Sequence, residues 1–209
     1  MSESASPPRP YRSTLREEQA ERTKLLIAHA ARTRFIESGW AGTSVRSVAE
    51  AAGVSEATVY AVYGTKAGLA VSLVDTADAD ADVARLVADL RRADGDPRSQ
   101  IAAYVAFERR LFEHGGDALR VIVEGQRNEP ALAAAYVEGR GRGESSRREV
   151  FSSWPASTRR RGVTVQRGLD LFAMVSSIQA YDIATHERGW TPDEVQRWWT
   201  DTLVREILA

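Results

Sequence analysis

The chain has 209 residues, 43% of them hydrophobic, which suits one large domain or a small one joined to a larger one and argues against wholesale disorder. Lys and Arg number 28 against 29 Asp and Glu, so the formal net charge is −1 and any contact with nucleic acid must come from a local patch. The absence of cysteine excludes disulfide and thiolate chemistry. No apolar run approaches the ~18 residues of a membrane span, and no basic-then-apolar signal pattern opens the chain; the expectation is a cytoplasmic protein with no membrane partner.

Residues 1–14, MSESASPPRPYRST, are rich in Ser and Pro, the composition of a disordered tail. Arg9 and Arg12 would also suit an arm laid against phosphates or the minor groove. From Arg16 to Ser38 an amphipathic helix is expected, with Ile27, Ala28, Ala31 and Phe35 on one side and Leu25 and Ile36 at its margins. Gly39 is its stop, and Thr43 is the expected cap of the next helix.

The stretch from Thr43 to Lys66, TSVRSVAEAAGVSEATVYAVYGTK, reads as two short helices joined by a tight turn. Val45, Val48, Ala49 and Ala52 recur at helical spacing. Ala49 is small where a second helix must cross, and Gly53, four residues on, tolerates the positive φ of the turn. Ser55 caps the second helix, and Val48, Val54, Val59 and Val62 are the expected shared core. Together the three helices of residues 15–64 make a compact DNA-binding module with a helix-turn-helix.

Ile27, Ala30-Ala31, Phe35 and Gly39, then Thr43, Ala49, Ala52-Gly53-Val54-Ser55, Val59-Tyr60, Tyr63, Lys66 and Leu69 resemble the TetR family of transcriptional regulators over residues 24 to about 70. Arg34 stands where that family usually has an apolar residue, and Val62 where a His is common. The resemblance implies a homodimeric regulator, most simply a repressor of a palindromic double-stranded DNA operator, released by a small molecule held in the C-terminal domain. On this reading Thr43, Ser44 and Arg46 meet a phosphate at the start of the second helix. Ser55, Glu56, Ala57 and Thr58 face base edges, Tyr60 and Tyr63 offer hydroxyls to phosphate, and Lys66 adds a point charge. Tyr63 is equally suited to a core aromatic. Glu56 would accept from a cytosine amino group.

Residues 65–209 are expected to be a helical ligand-binding and dimerisation domain, and the whole an all-α protein, since no segment sustains strand alternation. Thr65 caps a helix running to about Arg92, with Leu69, Leu73, Leu86 and Leu90 on its apolar side and an acidic face of Asp75, Asp78, Asp80, Asp82 and Asp89. Without histidine or a turn-forming glycine these aspartates read as a solvated face, and no metal site is expected. Asp96-Pro97 starts the next helix, which Gly115-Gly116 should stop; a shorter one spans Asp117 to Gln126 and another opens at Pro130. Gly139-Arg140-Gly141-Arg142-Gly143 reads as a weak or bent helix, because no strand precedes it as a phosphate loop requires. Trp154-Pro155 and Arg159-Arg160-Arg161 read as a surface loop.

One long helix is expected from Gly162 to Arg188, apolar around most of its circumference, then a capping box at Thr191-Pro192-Asp193-Glu194 and a final helix. Phe172, Val175, Ile183, Val195, Trp198, Trp199 and Leu203 on these two helices are the expected four-helix dimer interface. Tyr104, Phe107, Trp154, Phe172, Met174 and Tyr181, with Glu124, Gln126 or His186 as polar anchors, are the candidate pocket for a hydrophobic or planar effector. His29, His114 and His186 lie in no nucleophile or zinc motif, so neither catalysis nor a cofactor is expected. The alternative reading is a helical sensor or scaffold with a degenerate DNA-binding module.

Overall fold

The structure, a computed structural model, describes residues 11–209, and of residues 11–15 and 75–80 the backbone alone. The expected tail falls mostly outside the described residues, as do the side chains of Asp75, Asp78 and Asp80. The described chain is helical apart from turns and one isolated bridge between Arg159 and Leu208. No single helix among these residues is long and apolar enough to cross a membrane.

Helix α1 (Tyr11–Gly42) starts inside the segment assigned to the tail and is broken at Gly39, whose φ of 66° and ψ of −174° leave the helical region. The helix α2 (Val45–Ala52) is capped by Ser44, not by Thr43. Thr43 is 4% exposed, and its hydroxyl proton is shared between the carbonyls of Gly39 (2.8 Å) and Arg34 (3.0 Å) on the broken end of α1. Ser44 and Ser47 then close a reciprocal capping box. Gly53 takes a φ of 67° at the turn, and Ser55 caps α3 (Glu56–Tyr63). Val48 and Val59 are buried, whereas Val62, expected in the shared core, is 39% exposed on α3.

Thr65 caps the next helix by accepting from the Gly68 N–H at 2.9 Å. That helix ends early: α4 (Lys66–Asp80) and α5 (Val83–Arg92) are separated at Asp82, which adopts a φ of 61° and caps α5 with its own carboxylate. Arg110 holds the break by donating to the freed carbonyl of Ala81 at 3.1 Å.

The expected stop at Gly115-Gly116 does not occur, and α6 (Pro97–Gly125) runs through both glycines. Both are buried, and a Cβ on Gly116 would lie 3.3 Å from Ile178 Cδ1, so Gly116 serves close approach. Likewise α7 (Pro130–Ser153) carries Gly139, Gly141 and Gly143 inside one helix. Conversely, the long helix expected from Gly162 to Arg188 is cut into α8 (Val165–Val175), α9 (Ile178–Asp182) and a π turn at Ile183–Glu187. The cut falls at Ser176-Ser177, where the Ser177 hydroxyl accepts from the Ala180 N–H and starts a new helix. The last helix, α10 (Pro192–Ile207), begins with the expected capping box.

Two apolar cores result. The first joins Ile27, Ala31 and Phe35 of α1 to Val48, Val59 and Leu69, and extends to Val121 and Ile122 of α6 and Leu132 of α7. The second gathers Ile101, Tyr104, Phe151, Phe172, Trp199 and Leu203 among α6, α7, α8 and α10. Helix α6 contributes to both, so the N-terminal module is packed onto the larger domain rather than tethered to it.

Candidate nucleic-acid interface

The turn at Gly53 lets α3 stand out from α2 while Val59, at 1% exposure, anchors it to the core. The opposite side of α3 presents Glu56, Ala57 and Tyr60, all exposed, with Tyr60 at 48%. Ser55 accepts from the Thr58 N–H at 3.1 Å and shares a hydrogen bond of 2.8 Å with the Thr58 hydroxyl. Both hydroxyls therefore hold the helix start, and the one that accepts in this pair keeps its own proton free for a base.

Around α3 the expected phosphate contacts divide. Ser44 and Arg46 are exposed at the start of α2, although Arg46 Nε donates to Glu50 at 3.0 Å. That pair is solvated on both sides and costs little to open. Three other residues face inward. The Thr43 hydroxyl is spent on α1. Tyr63 donates to the Lys24 carbonyl at 3.0 Å, tying α3 to α1, and burial raises its phenol pKa. Lys66 donates to the Trp40 carbonyl and lies 4.0 Å above the Trp40 ring, and burial lowers its ammonium pKa against the pull of Glu124 and Glu129. Tyr63 and Lys66 brace the module through these contacts.

Besides the shared apolar core, the module is held to the larger domain by polar ties that sequence spacing did not expose. Arg32 of α1 forks onto Asp117 of α6, Nε at 2.6 Å and Nη2 at 3.1 Å, and donates to the His114 carbonyl at 2.8 Å. Glu124, expected among the ligand anchors, accepts from the backbone N–H groups of Trp40 (2.8 Å) and Ala41 (3.3 Å), just past the break at Gly39. On the other flank Arg120 is forked onto Asp182 of α9, a hydrogen-bonded pair that raises the guanidinium pKa. Beside these ties run two adjoining clefts of about 410 and 530 Å³, which share Asp117, Arg120 and His186.

The aromatic residues expected to line an effector pocket are mostly core. Tyr104, Trp154, Phe172 and Tyr181 are all at most 6% exposed, and Phe107 is half-buried. Trp154, assigned to a surface loop, stacks on Phe151 at 4.3 Å and donates to Gln100 at 2.6 Å. Met174 faces outward at 60% exposure. Beneath Phe172 the guanidinium of Arg147 sits 4.5 Å from the ring and pairs with Glu108 at 2.7 Å, so the chain fills this space itself. Of the candidate set, Tyr181 and His186 line one cleft and Glu124 the other.

The residues expected at a dimer face divide in the same way. Phe172, Val195, Trp199 and Leu203 are at most 1% exposed within a single chain, enclosed in the core that α8 and α10 share with α6 and α7. Val175 is half-buried, while Ile183 and Trp198 are exposed at 48% and 49%. With them stand Met174 and Trp190, the latter edge-on to Trp198 at 6.0 Å.

Residues 27–73, from the second half of α1 through most of α4, match the family model of bacterial regulatory proteins of the tetR family. The N-terminal module is of the TetR family. No curated protein matches the chain in sequence. Among solved structures, a Saccharomonospora viridis protein in complex with choline aligns at TM-score 0.71 and 15% identity, over 91% of this chain and 99% of its own. NalD of Pseudomonas aeruginosa, described as the secondary repressor of a multidrug efflux pump, aligns at TM-score 0.70 and 20% identity, over 90% and 98%. A Mesorhizobium loti protein assigned to the TetR family aligns at 0.62 and 23%, over 89% and 95%. At these identities the likeness is one of fold, and it extends the TetR architecture over the C-terminal helices.

Proposed function

We propose that the chain is a homodimeric transcriptional regulator, most simply a repressor, that binds a two-fold operator through α2 and α3 and is released by a small molecule bound in its C-terminal part. The observation that carries this reading is α3 itself: a short rod anchored by Val59, with Glu56, Ala57 and Tyr60 facing solvent and the α2 start beside it. Such a helix fits the major groove, and the first-turn N–H groups of α2 suit a phosphate. The exposure of Met174, Ile183 and the adjoining pair Trp190 and Trp198 supports pairing with a second copy. Pairing matters because two modules about 34–36 Å apart address two half-sites together. A ligand that favours another separation lowers affinity by its differential binding free energy. Two relatives in fold, one described as a repressor and one as a choline complex, support the roles of DNA and small molecule.

A second reading, a helical sensor with a degenerate module, draws on the internal engagement of Tyr63 and Lys66 and on the pairing of Arg46 with Glu50. Selection from random DNA followed by gel shifts across a salt series separates the two. A retained palindromic site with a steep loss of affinity as salt rises supports the regulator, with Thr58→Ala relaxing preference at one or two positions. No retained fragment at low salt favours the sensor.

A further inference from the structure

The two adjoining clefts lie where α1, α6 and the segment from α9 to the π turn meet, beside the ties that hold the module in place. Their walls are part aromatic, with Phe112 and Tyr181 in one and Phe35 in the other. Carboxylates outnumber guanidiniums there: Glu113, Glu124 and Glu187 stand beside the two pairs Arg32–Asp117 and Arg120–Asp182, and Glu113 is met by Arg109 from outside the lining. An anion would find both arginines already forked onto aspartates and would sit against further negative charge. A cation meets an acidic wall.

We propose that these clefts form one binding site for a small organic cation with a planar apolar body, which takes Asp117 from Arg32 and thereby loosens α1 from α6. The pair is open to such competition. The Arg32 side chain is 40% exposed and Asp117 21%, so the bond is partly solvated and its carboxylate is within reach of a second cation. Guanidinium and amidinium groups share the planar fork that suits a carboxylate, and an attached ring can lie against Phe112 and Tyr181. Displacement acts on the module because Arg32 holds α1 at Asp117 and at the His114 carbonyl.

That loosening lowers DNA affinity rests on the regulator reading; binding and loosening do not, and they are read without DNA. Benzamidine, titrated against the full chain by saturation-transfer NMR, should bind, with benzoate binding at least tenfold more weakly. Asp117→Asn should weaken benzamidine roughly tenfold, whereas Arg32→Ala, which removes the competitor, should strengthen it several-fold. A merely structural role for the pair would not give opposite signs. If Asp117→Asn fails to fold, Arg32→Ala carries the test alone. Benzamidine should also speed amide exchange along His29–Ala41. Preference for benzoate, an Arg32→Ala affinity equal to wild type, or unchanged exchange would overturn the proposal. With the site established, failure of benzamidine to release a selected DNA fragment would count against the regulator reading instead.

Discussion

The N-terminal module and the C-terminal domain are both helical, yet their boundaries are set by different forces. In the module each helix ends at a local device: the Gly39 break, the Ser44 capping box, the Gly53 turn, the Ser55 cap and the Thr65 cap. In the larger domain α6 continues through Gly115-Gly116, which should stop it, α7 runs through three glycines that should weaken or bend it, and a helix with no apparent interruption is cut at Ser176-Ser177. Short helices depend on their ends, because a helix of eight residues has few internal hydrogen bonds and the cap energies are a large share of its stability. Long helices depend on what covers them, and packing overrides a weak local stop. The same division separates two neighbouring tryptophans on α10: Trp199 is enclosed at 1% exposure, while Trp198 stands out at 49%.

That contrast breaks most visibly at these tryptophans. Trp199→Ala should cost about 3–5 kcal/mol in chemical denaturation, the usual range for a large aromatic lost from a packed core. Trp198→Asp should leave the protomer folded and yield monomers by sedimentation; a stable dimer would remove the exposed face as the contact between copies. A smaller effect tests the module's buried polar anchor. Thr43→Val keeps the shape and removes the donor to Arg34 and Gly39, at an expected cost of about 1–2 kcal/mol. Loss of DNA affinity with unchanged stability would return Thr43 to the phosphate role.

The two tyrosines of α3 sharpen the same comparison. Tyr63→Phe should lose about 1 kcal/mol of stability, the net worth of its bond to the Lys24 carbonyl. Tyr60→Phe should leave stability unchanged and weaken binding to every DNA sequence alike. The smallest expected effect is on pH dependence. Hydrogen bonds from the Thr191 backbone N–H, and then from its hydroxyl, hold the Glu194 carboxylate below its ordinary pKa. Its stabilising contribution is therefore complete above the unfolded-state value and is lost as pH falls through the lowered one. Thermal melts of Glu194→Gln should trail wild type at neutral pH and converge with it in acid.

The legible part of the site was the part built from near neighbours in sequence. Ser55, Glu56, Ala57 and Tyr60 could be placed on an exposed helix start because Gly53 and the cap lie within a few residues of them. Tyr63 and Lys66 could not, since their partners Lys24 and Trp40 are brought to them by the fold of α1 across α3 and α4. The aromatic candidates were harder to place for a related reason: helical spacing marks aromatic residues as apolar-facing without telling core from cavity. Arg147 and Glu108, distant in sequence, fill the space beside Phe172.

By itself the sequence determined an all-α chain, the helix-turn-helix with its glycine hinge, and the helix starts at Ser55, Asp96-Pro97 and Thr191-Pro192. These follow from backbone conformation and hydrogen bonding within a few residues. Only the tertiary structure decided which glycines are passed through, which aromatics are enclosed, which tryptophan is left exposed, and how Arg32 and Glu124 fasten the module to α6. Those outcomes depend on contacts between residues far apart along the chain, and periodicity carries no information about which distant face will cover a given one.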